Sequence, residues 1–253
     1  MKSTTLATTL IGLAALLPLA TAIHAAEIRV LASNGVKGAL EALAPAFERE
    51  TGHKLALKFD LAAAIKRRIE AGEDFDLAII TTAGIDDLAK QGKVDAATRT
   101  NIARSGVGIG IRAGAPRPDI STPDALKHAL LAAKSIAWAK EGASGTYFAG
   151  VVQRMGIAEQ IKPKLNLGTS GAHVGELLVK GQAELGALLV NELLAVPGVE
   201  VLGPLPAELQ NYTVFTTGVS TGSKESAAAK ALIKFLSSPA AAAVYKSKGQ
   251  EPG

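Results

Sequence analysis

The sequence predicts an α/β architecture of mostly parallel sheets with helices on both faces. Three observations carry that expectation. Short β-branched and apolar runs alternate with segments whose apolar residues recur at three- and four-residue spacing. Gly52, Gly72, Gly92 and Gly181 each follow such a periodic segment, where left-handed helix ends are expected. Several strand-to-helix junctions are built from Ser, Asn, Ala and Gly, which suits tight turns at the carboxyl ends of parallel strands.

Strands are expected over Glu27–Ala32, Lys54–Phe59, Leu77–Thr81, Ser105–Arg112, Ser135–Trp138, Leu185–Val190, Val199–Leu202 and Tyr212–Val219. Helices are expected over Val36–Thr51, Ala63–Ala71, Ile85–Gln91, Pro123–Ala133, Gly145–Met155, His173–Lys180 and Ser226–Ser237, with a last one after Pro239. The cluster Gly114-Ala115-Pro116-Arg117-Pro118 breaks the pattern once, and Pro197-Gly198 to Pro204 and Pro206 break it again. These breaks divide the chain into a discontinuous first lobe, 26–112 with 212–253, and a second lobe, 113–211. Trp138 and Met155 are expected in the core, and Tyr147 suits either the core or a cleft wall.

The N-terminal residues, 1–25, read as an export signal. Lys2 supplies a basic start, Leu10 to Ala20 is apolar but too short to span a bilayer, and cleavage is expected after Ala22 or Ala25. The mature protein is therefore expected in the periplasm. Its composition, 48% hydrophobic and 20% charged over 253 residues, leaves room for one large or two small domains. Cysteine is absent, which excludes disulfides, thiolate metal sites and a cysteine nucleophile. The four histidines, His24, His53, His128 and His173, are not paired at metal-ligand spacing, and no metal or cofactor is expected. With 27 basic and 23 acidic side chains, and 4% aromatics, nucleic-acid binding has no support.

Four turns favour an anion: Ser33-Asn34-Gly35, Asp60-Leu61-Ala62-Ala63-Ala64, Gly142-Ala143-Ser144-Gly145-Thr146-Tyr147 and Thr169-Ser170-Gly171-Ala172-His173. Each ends a strand and starts a helix, so backbone N–H groups and the positive end of the helix dipole converge on one point. Two turns lie before the first Pro and Gly cluster and two after it. Converging from two lobes, they would line a cleft that closes on a small anionic solute.

The order of elements, the Ala32-Ser33 turn, Arg67 to Glu70 followed by Asp76-Leu77, and Leu185-Gly186 resemble the periplasmic molybdate-binding proteins of ABC importers. The resemblance implies a two-lobed type II periplasmic binding protein fold with a hinge crossed by two strands. It also implies a monomer that serves an ABC permease at the inner membrane. Ser33 matches the family's first ligand serine, and Gly145 and Gly171 match positions that offer backbone N–H groups. The family's second serine falls in Leu61-Ala62-Ala63, and its pocket tyrosine falls near Leu189, so two donors are lost. These losses point to a small organic acid rather than molybdate.

Around the turns, Ser33, Asn34, Ala62, Ala63, Ser144, Gly145, Thr146, Gly171 and His173 are the expected ligand-binding positions. Asp60 would repel a dianion or cap the following helix. Lys66 and Arg67, one turn into that helix, suit a carboxylate ligand, and Ile65 and Ile69 mark its buried face with Arg68 nearer to it. His173, in the first turn of its helix, can donate to or accept from a ligand. An alternative role rests on Gly114 to Ser121, Ala143 to Tyr147 and Val196-Pro197-Gly198, which resemble the branch of this family that includes aconitate isomerase. That branch implies a cofactor-free isomerase, with His173 or Asp60 as base and Lys66 and Arg67 as clamps. The binding protein is the preferred expectation, because no base stands out.

Overall fold

The computed structural model describes residues 25–253. The expected export signal, apart from Ala25, and His24 lie outside the described residues.

The first elements are β1 (Glu27–Ser33), α1 (Lys37–Thr51), β2 (Lys54–Asp60), α2 (Ala62–Glu70), β3 (Leu77–Thr81) and α3 (Thr82–Lys90). A long strand, β4 (Thr100–Arg112), follows. Then come α4 (Pro123–Ala132), β5 (Ile136–Ala139), α5 (Ala143–Arg154), α6 (Ala158–Ile161), β6 (Leu165–Gly168), α7 (Gly171–Val179) and β7 (Leu185–Leu189). The chain ends with α8 (Val190–Leu194), β8 (Val199–Pro204), β9 (Tyr212–Val219), α9 (Ser226–Leu236), α10 (Pro239–Ser247) and β10 (Glu251–Pro252).

The strands run β2-β1-β3-β9-β4-β7-β5-β6 across one mixed sheet, with β8 and β10 also paired to β4. The outer groups are parallel: β1 with β2 and β3, and β5 with β6 and β7. The inner strands β9 and β4 run antiparallel to their neighbours. β4 changes partner within its own length. Thr100 to Gly106 pair with β9, and Val107 to Arg112 pair with β7 and β8. One strand thus joins two half-sheets.

Each half-sheet buries its own apolar faces. On β3, Leu77 and Ile79 face one side and Ala78 and Ile80 the other, all fully buried. Trp138 is buried edge-on against Phe148, and Met155 packs against the core. Gly52, Gly72, Gly92 and Gly181 have positive φ, as their places after helices require.

Some bounds differ from the sequence reading, for physical reasons. The helix after β3 begins at Thr82, because the Thr81 hydroxyl accepts a hydrogen bond from the Gly84 N–H. β6 has two exposed central residues, so it lacked the apolar run expected of a strand. The apolar stretch Leu188-Leu189-Val190 looked like one strand, but the chain turns into α8 after Leu189.

Two local features hold the halves. The first is Asp76, buried at the start of β3. It accepts hydrogen bonds from the Arg29 backbone and Nε at 2.9 Å each, from Arg29 Nη2 at 3.1 Å and from the Ser223 hydroxyl at 2.8 Å. Burial pushes its carboxyl up, but the hydrogen bonds from Arg29 and Ser223 and the Arg29 charge together outweigh burial and hold it below the ordinary carboxylate range. The second is the glycine face of β4. A Cβ on Gly108 would lie 2.9 Å from Val190 Cγ2 and 3.0 Å from the Gly203 carbonyl oxygen, and one on Gly110 would lie 2.5 Å from Leu193 Cδ2. The missing side chains let α8 sit directly on the strand.

Replacing Asp76 with Asn should lower stability at neutral pH by about 2–3 kcal/mol in urea unfolding. The folded pKa lies below the unfolded one, so this stabilisation is complete above the unfolded value of about 3.9 and is lost as pH falls through the folded value. The variant should therefore lose less stability on acidification than the parent. Gly110→Val should cost about 1–3 kcal/mol by overpacking against Leu193 and Val199. An unchanged urea midpoint for this variant would show that α8 does not rest on β4.

Candidate functional site

All four anion-friendly turns reach one narrow cavity between the half-sheets, about 20 Å³ in volume. Ser33, Asn34 and Gly35 line it from the turn after β1, and Leu61 and Ala62 from the start of α2. Gly142, Ala143 and Ser144 line it from the start of α5, and Gly171 from the start of α7. Leu188, Leu189 and Glu192 come from the junction of β7 with α8, and Thr213 and Phe215 from β9.

The turns form for local reasons. Ser33, itself buried, accepts a hydrogen bond from the Gly35 N–H at 3.3 Å. Gly35 lies under the Phe215 ring, where a Cβ would collide with it. Its carbonyl accepts from Asn191 Nδ2 at 2.8 Å and Gln250 Nε2 at 3.0 Å, which ties the turn to α8 and to the C-terminal segment. Among the described residues, the buried Asn191 and Gln250 side-chain oxygens have no hydrogen-bond partner. The starts of α2 and α5, at Leu61 and Gly142, line the cavity and have no side-chain cap, so no cap hydroxyl takes up their first amides. Gly145 is pressed against the Ala139 carbonyl and the Trp138 ring, so it sets how closely α5 follows β5. Ser170 caps α7, accepting from the His173 N–H at 3.1 Å.

Of the expected ligand positions, Ser33, Asn34, Ala62, Ser144 and Gly171 line the cavity. Ala63 and Thr146 are exposed on their helices, and Gly145 is packed behind the turn. The polar side chains expected from α2 go elsewhere. Ile65 and Ile69 face inward, and Lys66 pairs with Glu70 of its own helix at 2.8 Å and with Asp87 of α3 at 3.7 Å. Arg67 is exposed and reaches across to Glu141, beside α5, at 3.0 Å. Asp60 is neither a helix cap nor a cavity wall. Leu61 holds the cap position, and the Asp60 carboxylate accepts from the Leu61 N–H at 2.8 Å and from Arg68 at 3.4 Å. Arg68 also clamps Glu73, and that hydrogen bond, reinforced by Lys58, lowers the Glu73 carboxyl to about 2. His173 turns back on its own loop: Nδ1 accepts the Thr169 N–H at 3.2 Å. Tyr147 donates to the Leu209 carbonyl at 2.9 Å, away from the cavity.

The residue missed from sequence is Glu192. Among the described residues it is the one titratable side chain on the cavity wall, and a Cβ on Gly171 would lie 3.2 Å from its carboxyl. Desolvation pushes this carboxyl up to about 7, against a smaller opposing effect of the Leu189 backbone amide. A signal was present: an acid follows directly on a buried strand, at the carboxyl end where α/β sheets hold their ligands. Extending that strand through Val190 obscured it. Beside the cavity, and sharing Asn34, Gly171 and Glu192 with it, a groove of about 550 Å³ carries Lys37, Glu41 and Lys248.

The chain is 32% identical over 252 residues to an aconitate isomerase from a Pseudomonas species, covering 96% of this chain and 95% of that one. It is 26% identical over 231 residues to the molybdate-binding protein ModA of Escherichia coli K12, covering 88% of each. Among solved structures, the periplasmic molybdate-binding protein of Azotobacter vinelandii matches with a TM-score of 0.75 at 18% identity, over 88% of this chain and 98% of that one. The fold is thus that of the type II periplasmic binding proteins. The family model described as bacterial extracellular solute-binding protein matches residues 28–251, and the chain belongs to that family.

Proposed function

We propose that the protein is an exported receptor for a small organic anion with more than one carboxylate, held between the two lobes expected from the sequence. In this role it acts as a monomer that delivers its solute to an ABC permease at the inner membrane. The observation that carries the ligand class is the mixed lining of the cavity. Hydroxyls come from Ser33, Ser144 and Thr213, while Leu61, Ala62, Leu188, Leu189 and Phe215 are apolar. A tetrahedral oxyanion such as molybdate needs donors on every side once desolvated, and the α2 start and Leu189 offer no hydroxyl. A carboxylate with a carbon skeleton uses both kinds of wall once the lobes part to admit it, since the 20 Å³ cavity of this structure has room for about one water. Lys37 and Lys248 in the adjoining groove supply positive charge for a further carboxylate.

One observation favours a second role, an isomerase acting on a tricarboxylate. A desolvated carboxyl, Glu192, stands in the cavity, and the relative at 32% identity is named an aconitate isomerase. The fold alone does not separate receptor from enzyme.

Calorimetry with molybdate, sulfate, citrate and the aconitates tests the ligand class. The carboxylates should bind more tightly than the inorganic dianions. Ser33→Ala should weaken that binding by about 1 kcal/mol, roughly fivefold. Tight molybdate binding would overturn the proposal. Closure rests in part on the Arg67–Glu141 pair, which is exposed on both sides. Arg67→Ala should shift the open-to-closed balance only a few-fold, since such pairs contribute about 1 kcal/mol or less. X-ray scattering with saturating carboxylate should still show compaction in this variant, and a radius of gyration indifferent to ligand in the parent would contradict lobe closure.

A further inference from the structure

We propose that Glu192 is a catalytic residue that moves a proton along the carbon chain of a bound unsaturated polycarboxylate. The proposal rests on the reading that the cavity takes a small polycarboxylate. The position of the group is fixed by packing. Glu192 is the third residue of α8, and Val190 and Leu193 of that helix lie on the glycine face of β4. Its carboxyl is therefore set by the sheet and not by a mobile loop. Gly171, at the start of α7, has no side chain to separate the carboxyl from the anion-binding turn.

The surroundings suit a base. Leu188, Leu189 and Phe215 form apolar walls beside it, and the half-burial of Glu192 makes its carboxylate more basic. The shift of its carboxyl to about 7 agrees with that environment and matches the range in which a general base works at neutral pH. The other charged groups of the adjoining groove are Lys37 and Glu41 of α1 and Lys248 beyond α10. Lys37 is 3.8 Å from Glu41 and half-exposed, which leaves it free to turn to a ligand carboxylate.

The step balances without a co-reactant. The Glu192 carboxylate takes a proton from the saturated carbon next to the double bond, breaking that C–H bond. The electron pair spreads over the three-carbon allylic unit and its attached carboxylate. The amide N–H groups at the starts of α5 and α7 face the negative charge that develops. The proton then passes from Glu192 to the carbon at the far end, the double bond moves by one position, and the carboxylate is restored. Nothing is oxidised or reduced.

A structural role competes with this one, since Glu192 occupies the third position of α8, where a capping-box acid serves the N-cap Leu189. The test separates them. Purified parent, Glu192→Gln and Glu192→Asp are incubated with trans-aconitate in deuterated buffer, followed by proton NMR, with binding measured by calorimetry and folding by thermal melts. The parent should bind the tricarboxylate and interconvert its isomers. Glu192→Gln should bind it within a few-fold and lose roughly 10²–10⁴-fold in rate. A parental rate in Glu192→Gln would overturn the proposal, as would a parent that binds the tricarboxylate and neither interconverts it nor exchanges its carbon-bound hydrogens. If the parent binds no polycarboxylate, the ligand reading fails and this proposal falls with it. Should Glu192→Gln not fold, Glu192→Asp decides: a lowered kcat with KM nearly unchanged supports proton transfer, and an unchanged kcat refutes it.

Discussion

The seating of α8 on the glycines of β4 is the constraint on which the site depends. β4 belongs to both half-sheets, so it fixes how the turns from each side face one another. Gly108 and Gly110 bring α8 within van der Waals contact of that shared strand. Asn191 then reaches the Gly35 carbonyl, and Glu192 reaches the wall below Gly171. A side chain at either glycine would lift α8 and move both groups together. Sheet geometry, helix position and site chemistry are here one packing problem.

Two kinds of helix start meet in the cavity. The turns at Ser33 and Ser170 each satisfy one amide with their own hydroxyl, those of Gly35 and His173. Those at Leu61 and Gly142 do not, which leaves donors for something else. Among the described residues the lining carries no cation of its own. Charge enters from the groove, through Lys37 and Lys248, and from the aligned peptide dipoles. A negative group can be held there by oriented amides, but a carboxylate from the protein itself, Glu192, lies beside Gly171 on the same wall.

Much of the fold was legible because burial leaves a periodic trace. The runs at Leu77–Thr81 and Tyr212–Val219 are strands to the residue. The turns were legible too, since Ser, Gly and Ala at strand ends have few other uses. Side-chain destinations were harder. Whether Lys66 meets a ligand or Asp87 depends on the angle between α2 and α3, which no local pattern encodes. His173 had the right address but folds back on Thr169. Glu192 was hidden by the continuous apolar run before it, where strand and short helix look alike.

The account's central claim is that Glu192 touches the ligand in a cavity built for a carboxylate. A crystal structure of the Glu192→Gln protein with a bound tricarboxylate tests it most directly. The account predicts a ligand carboxylate at the starts of α5 and α7, with the residue 192 side chain about 3–3.5 Å from a carbon of the allylic unit. A ligand bound elsewhere, or one in the cavity with residue 192 turned away from its carbon chain, would contradict it.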